Sequence, residues 1–193
     1  MPHVVDVKCP ACGGHACFEF AEVVRITKKE DVAYFQASDL FEYRFVQGSF
    51  VRPGNWHAAI YYHGLHRHSL AAVTDLPEGY SSKTWAHSKY WYRGSADHGT
   101  VRCNICYQRQ KHQLEWPRDA FFQVDIRGNT LWAFNQESLI ALRHFIASRE
   151  RGKARRGPYQ SFLMKVPTHF LEAKVRDEAV KKLNGLLKPQ APT

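Results

Sequence analysis

Two Cys-x-x-Cys pairs, Cys9/Cys12 and Cys103/Cys106, constrain this chain more than any other feature. The first sits in Cys-Pro-Ala-Cys-Gly-Gly at 9–14 and the second in Arg-Cys-Asn-Ile-Cys-Tyr at 102–107. The short spacer lets both sulfurs of a pair point at one ion, so four thiolates delivered as two such pairs are what a tetrahedral zinc ion requires. If one ion takes all four, residues 9 and 106 meet in space and everything between them is an insertion in a metal site. Two other readings of the cysteines fit less well. A thioredoxin-like redox motif needs an amphipathic helix that its first Cys caps. Here Gly13-Gly14 follow at once, and Ala16-Cys17-Phe18-Glu19-Phe20 reads as a strand. A disulfide framework is disfavoured by the odd total of five Cys and by an N-terminus, Met-Pro-His-Val-Val-Asp-Val-Lys, without the basic and apolar regions of a secretory signal. Cys17 is left over as a small buried hydrophobe, and His15 is a minor competitor as a ligand.

The pattern resembles the zinc-ribbon superfamily, in which two knuckles on hairpin turns share the ion. That resemblance covers the knuckles and leaves the long insert unexplained. It implies a structural Zn²⁺ as cofactor. A catalytic zinc keeps one coordination position open for water, whereas four thiolates fill all four. The site then contributes folding energy.

A chain of 193 residues with 44% hydrophobic and 13% aromatic content can build a proper core, as one sizeable domain or two small ones. The expected class is α+β. Residues 1–17 and 98–118 form the zinc-ribbon-like unit, 18–97 a β-rich insert, and 119–193 a β-hairpin with two helices. Within the insert, Phe41, Tyr43 and Phe45 alternate with Glu42, Arg44 and Val46, the period of a half-buried strand. Trp56–His63 is a second strand candidate, and Thr84–Tyr92 a third, with Trp85, His87, Lys89 and Trp91 on one face. Pro53-Gly54-Asn55 and Leu76-Pro77-Glu78-Gly79 are turn signals. Trp116-Pro117-Arg118-Asp119 breaks the chain, and Phe121–Ile126 and Leu131–Phe134 flank the turn of a hairpin. Asn135 caps a helix with Leu139, Leu142, Phe145 and Ile146 at helical spacing. A loop spans 150–160, and a last helix carries Val175, Ala179, Leu183 and Leu186 as its apolar stripe, with the 121–134 hairpin as its nearest partner surface.

Net charge is +9 and pI about 9.4, which favours a polyanionic partner, most often nucleic acid. Arg143, Arg149, Arg151, Lys153, Arg155 and Arg156 cluster with only Glu150 opposing them. The helix dipole accounts for cations at a helix C-terminus, but not for those in the loop beyond, where Arg forks can track phosphates. A second basic face surrounds the later knuckle, at Arg93, Arg102, Arg109, Lys111 and Arg118. Tyr61-Tyr62 and Tyr90-Trp91-Tyr92 could offer stacking platforms for bases.

The crowd of His57, His63, His66 and His68 contains no Asp or Glu between residues 43 and 74 to orient an imidazole, so it reads as a surface cluster. Asp97-His98 ahead of Cys103-x-x-Cys106 resembles the end of zinc-containing HNH endonucleases, but too few residues separate the two motifs to build the intervening hairpin. The expectation is therefore a cytoplasmic, non-enzymatic nucleic-acid-binding protein or accessory subunit of a nucleoprotein complex. Arg149, Arg151, Lys153, Arg155 and Arg156 contact phosphate, Arg109 and Lys111 assist, and no membrane or small-molecule cofactor is involved. A protein-interaction adaptor in a larger assembly is the alternative, and an HNH-like nuclease the third reading.

Overall fold

The structure is a computed structural model that describes residues 1–48, 54–66, 69–90, 97–150 and 157–188. In chain order these form β1 (Val4–Lys8), β2 (His15–Phe20), β3 (Glu22–Ile26), α1 (Val32–Ala37), β4 (Phe41–Val46), β5 (Trp56–Tyr61), β6 (Ala86–His87) and β7 (Asp97–Cys103). They continue with β8 (Arg109–Leu114), β9 (Phe122–Ile126), β10 (Asn129–Ala133), α2 (Gln136–Ala147), α3 (Gln160–Leu163) and α4 (Ala173–Leu186). Antiparallel sheets with helices set apart from them make the class α+β. The chain divides into two compact units, Met1–Lys8 with Trp116–Thr193, and Cys9–Glu115.

The Cys9–Glu115 unit holds two antiparallel sheets. One has the order β2-β7-β8, and the other β4-β5-β3-β6. Alternation sorts the second sheet's faces as the period of a strand demands. Val24, Ile26, Ala59, Tyr61 and Phe41 turn to one side, where Phe35 of α1, Leu70, Tyr80 and Trp85 complete a core. Val23, Ala58, Ile60 and Tyr62 turn to the other. That second face meets the polar face of β2-β7-β8 through charged contacts: Lys111 Nζ donates to Glu42 Oε2 at 2.7 Å, and Arg44 donates to His98 Nε2 at 2.9 Å.

Two expectations in this unit change. Among its described residues the Thr84–Tyr92 alternation yields the short β6, because the backbone turns tightly on either side of it, at Ser82–Thr84 and Ser88–Tyr90. Helix α1 interrupts the β-rich stretch, placing Phe35 wholly inside the core. The expected strand at 41–46 stands, the one expected at 56–63 ends at Tyr61, and Gly79 turns the chain at φ +96°.

In the other unit, β9 and β10 form the expected hairpin, in register Ile126↔Asn129. The chain then enters α2 through Asn135, whose Oδ1 accepts from the Ser138 N–H at 2.9 Å while Ser138 Oγ accepts from the Asn135 N–H at the same distance, a reciprocal cap. Leu139, Leu142, Phe145 and Ile146 pack with Val175, Ala179 and Leu183 of α4 in one core. The last helix therefore rests on α2 as well as on β9, and α3 is an additional short helix that begins where the expected 150–160 loop ends. Glu178 and Lys182 of α4 pair at 3.4 Å. Strand β1 runs beside this unit's 119–121 segment, with the Lys8 N–H on the Asp119 carbonyl at 2.9 Å.

Candidate metal centre

The two knuckles are turns that leave and enter the β2-β7-β8 sheet. The first precedes β2, and closes when the Cys9 N–H bonds the Gly14 carbonyl and the Gly13 N–H bonds the Cys9 carbonyl, both at 2.8 Å. The second links β7 to β8, with the Cys103 N–H on the Gln108 carbonyl at 3.0 Å. Because Ala16 pairs with Cys103 in the ladder, the β2–β7 register itself brings the knuckles together. Ile105 of the second packs over Gly14 of the first so closely that a Cβ there would stand 2.8 Å from Ile105 Cγ1.

The four sulfurs of Cys9, Cys12, Cys103 and Cys106 lie within 4.8 Å of one another. Cys9 and Cys106 are 3.8 Å apart, and Cys12 and Cys103 3.6 Å. Thiolates ~2.3 Å from a tetrahedral ion stand about 3.8 Å from each other, so the donor set fits such an ion. The N–H groups of Ile105 and Cys106 both donate to Cys103 Sγ at 3.3 Å. Burial opposes ionisation of Cys103, but those backbone groups and the Cys106 and Cys12 thiols outweigh it and bring its pKa down to about 6. At Cys106 the Gln108 backbone favours the thiolate, yet burial and the Cys103, Cys12 and Cys9 thiols push it up to about 12. Cys103 ionises readily and Cys106 resists until a cation balances the added charge.

His15 is not among the sulfur group; its Nδ1 accepts from the Asn104 side-chain amide at 3.1 Å. Cys17 is half-buried rather than fully enclosed, on the polar face of β2 beside Glu19. The residue after Cys106 was not singled out by sequence. Tyr107 sits at φ +59°, is 82% exposed, and makes no hydrogen bond or ring contact with any described residue. Ile105 beside it is 57% exposed.

The predicted phosphate contacts separate into groups. Arg109 and Arg102 are exposed cross-strand partners on β8 and β7. Lys111 is engaged, its Nζ on Glu42 and 4.7 Å from the Tyr62 ring centre. Burial opposes ionisation of Glu42, but bonds from Lys111 and Arg44 outweigh it and hold its carboxyl below the ordinary value. Arg149 is exposed beyond α2, while Arg151, Lys153, Arg155 and Arg156 lie outside the described residues, as do Trp91, Tyr92, Arg93 and His68. Tyr61 and Tyr62, expected as stacking platforms, are buried core residues, and only Tyr90 of the described aromatics named for that role is exposed, at 67%.

The histidine crowd is resolved into separate roles. His57 Nδ1 bonds the Tyr43 hydroxyl at 2.6 Å. His63 Nε2 meets Glu22 Oε2 at 3.1 Å, so a carboxylate distant in sequence supplies the orientation that the local stretch lacks. Its hydrogen bond to Glu22 raises the His63 pKa, against the effect of burial. His98, one half of the HNH-like motif, is lowered by burial and then by Arg44, whose guanidinium it accepts from. The knuckle after it continues into strand β8, where the HNH unit has a helix.

No helix among the described residues is long and apolar enough to cross a membrane. No family model, no curated protein and no solved structure matches this chain.

Proposed function

We propose that this chain is a zinc-organised, non-enzymatic nucleic-acid-binding protein, acting alone or as an accessory subunit of a nucleoprotein complex. Zinc is the ion best suited to four convergent thiolates, because it accepts a tetrahedral all-sulfur set and leaves no position for catalysis. The observation that carries the functional reading is Tyr107. A side chain in the left-handed region costs roughly 1–2 kcal/mol that glycine would avoid. Here that conformation holds a solvent-facing aromatic ring at the edge of a metal unit, with Arg102 and Arg109 exposed on the adjoining strands. A ring for a base and guanidinium forks for the phosphates are the two parts of a single-strand binding surface. The net charge of +9 supplies general attraction to a polyanion. Arg149, Arg151, Lys153, Arg155 and Arg156 are assigned to further phosphate contact.

Mobility-shift titrations with single-stranded and duplex oligonucleotides at two salt concentrations, on protein whose metal content is measured, test this reading. Zinc at one equivalent and salt-sensitive retardation are expected. Tyr107→Ala should weaken binding by about 1–3 kcal/mol if a base stacks there. Absence of retardation at low salt overturns the nucleic-acid assignment. A partner recovered from extract that survives nuclease treatment points to the adaptor role instead.

A further inference from the structure

On the polar face of β7 and β8, Arg102 and Arg109 are direct cross-strand neighbours. Like charges in that relation repel and destabilise a sheet. Elsewhere on the same face the cations are matched: Lys111 has Glu42, and His98 accepts from Arg44, itself paired with Glu42 at 2.6 Å. No described carboxylate pairs with Arg102 or Arg109. Both line an open cleft of about 580 Å³ with His63, Gly64, His66 and Ser69.

The wall opposite the arginines is built for close approach. The His63–His66 turn closes with the His66 N–H on the His63 carbonyl at 3.2 Å, and the His66 ring stacks on Tyr61 with centres 4.9 Å apart. A Cβ on Gly64 would stand 2.8 Å from Thr100 Cβ and Cγ2, so the absent side chain lets the loop lie flat on the sheet. Glu19 is the acidic residue of the lining. It and Glu22 face His63, favouring the charged imidazole, so the carboxylates are set against a histidine and the arginines keep their excess charge. Glu19, His63 and His66 do not converge with one another closely enough to form a cation site among the described residues.

We infer that this cleft binds a phosphate ester of a nucleic-acid backbone, with Arg102 and Arg109 as the anion's forked donors and Ser69 and His66 at its edge. The source of the phosphate rests on the nucleic-acid reading above; the anion site itself does not. The volume suits a nucleotide rather than a bare ion. Two guanidinium groups on adjacent strands present the parallel donors that phosphate oxygens accept best. Binding also relieves the cross-strand repulsion.

The test uses the full chain loaded with metal and compares wild type, Arg102→Gln/Arg109→Gln, and Lys28→Gln/Lys29→Gln, which removes the same charge from an exposed site in the same unit. Folding is checked by circular dichroism and metal content. Inorganic phosphate should shift the His63 and His66 ring resonances in wild type and in the lysine variant, but not in the arginine variant. With a fluorescent oligothymidylate, the arginine variant should bind about a hundredfold more weakly, or tenfold per arginine, and its salt slope should fall by about 0.7 for each lost contact. Equal losses in the two variants would show that only net charge matters, and overturn the cleft. Phosphate-dependent histidine shifts without oligonucleotide binding would keep the cleft and remove the nucleic-acid reading. Oligonucleotide binding untouched by the arginine substitutions would do the reverse.

Discussion

Two turns in this molecule place a bulky residue where the backbone favours glycine, and they are held for different reasons. In the β9–β10 hairpin, Arg127 at φ +54° precedes Gly128 at φ +78°, the mirror-image turn that suits the twist of a two-residue connection. Its side chain repays the strain locally: Arg127 Nε donates to Glu178 Oε2 at 3.1 Å and an Nη to the Lys174 carbonyl at 3.0 Å, fastening α4. In the knuckle, Tyr107 at φ +59° has no such internal contact. It lies within the turn that the Cys103 N–H closes on the Gln108 carbonyl, and its ring faces solvent. The same backbone irregularity thus serves packing in one unit and exposure in the other.

That contrast can be broken experimentally. The largest effect should come from the metal. Chelation or Cys106→Ser should cost several kcal/mol of stability in the Cys9–Glu115 unit, since metal binding free energy is folding free energy there. Amide exchange should rise sharply at residues 9–14 and 103–108 but not at 126–129; uniform change would refute the proposed difference. Next, Arg127→Ala keeps the strained φ and loses both contacts to α4, so denaturant unfolding should show a loss of about 2 kcal/mol. Tyr107→Gly should do the opposite to stability, raising it by about 1 kcal/mol while nucleic-acid binding falls. A destabilised Tyr107→Gly protein would mean that the ring has an internal role after all. The smallest effect is a pH dependence. The folded pKa of His63 is raised, chiefly by its hydrogen bond to Glu22. Its stabilisation is therefore complete below the unfolded value near 6.5 and is lost as pH rises through the folded value. Because the pair is still partly open to solvent, less than about 1 kcal/mol is expected. His63→Gln should flatten the stability profile of the metal-loaded protein between about pH 6 and 8; an unchanged profile would dissociate the pair from stability.

Much of the local architecture is legible in the residues. Alternation at 41–46, the hairpin around Arg127-Gly128 and the Asn135 cap are set by neighbours in sequence, and each stands in the structure. The convergence of the four cysteines is legible too, because spacing encodes it. What escapes is whatever depends on distant pairing. Glu22 orients His63 and Glu42 captures Lys111, and neither partner can be found by scanning along the chain. Helix α1 is short enough for its turn-forming flank, Lys29–Asp31, to be overlooked among strands. Tyr61 and Tyr62 resemble exposed platforms on paper; both sides of β5 are covered, so they are core. Tyr107 could have been noticed as the bulky residue at a knuckle position that rewards glycine.

The ladder pairing of Arg102 with Arg109 brackets the second thiol pair, so the turn that carries Cys103 and Cys106 also sets the two arginines side by side. Thermodynamic reciprocity then ties the two occupants together. By whatever factor the bound ion sharpens the grip on an anion, the anion must slow the loss of the ion to a chelator. If the proposed function holds, protein saturated with a polyanion should for that reason keep its metal under scarcity that strips the free form.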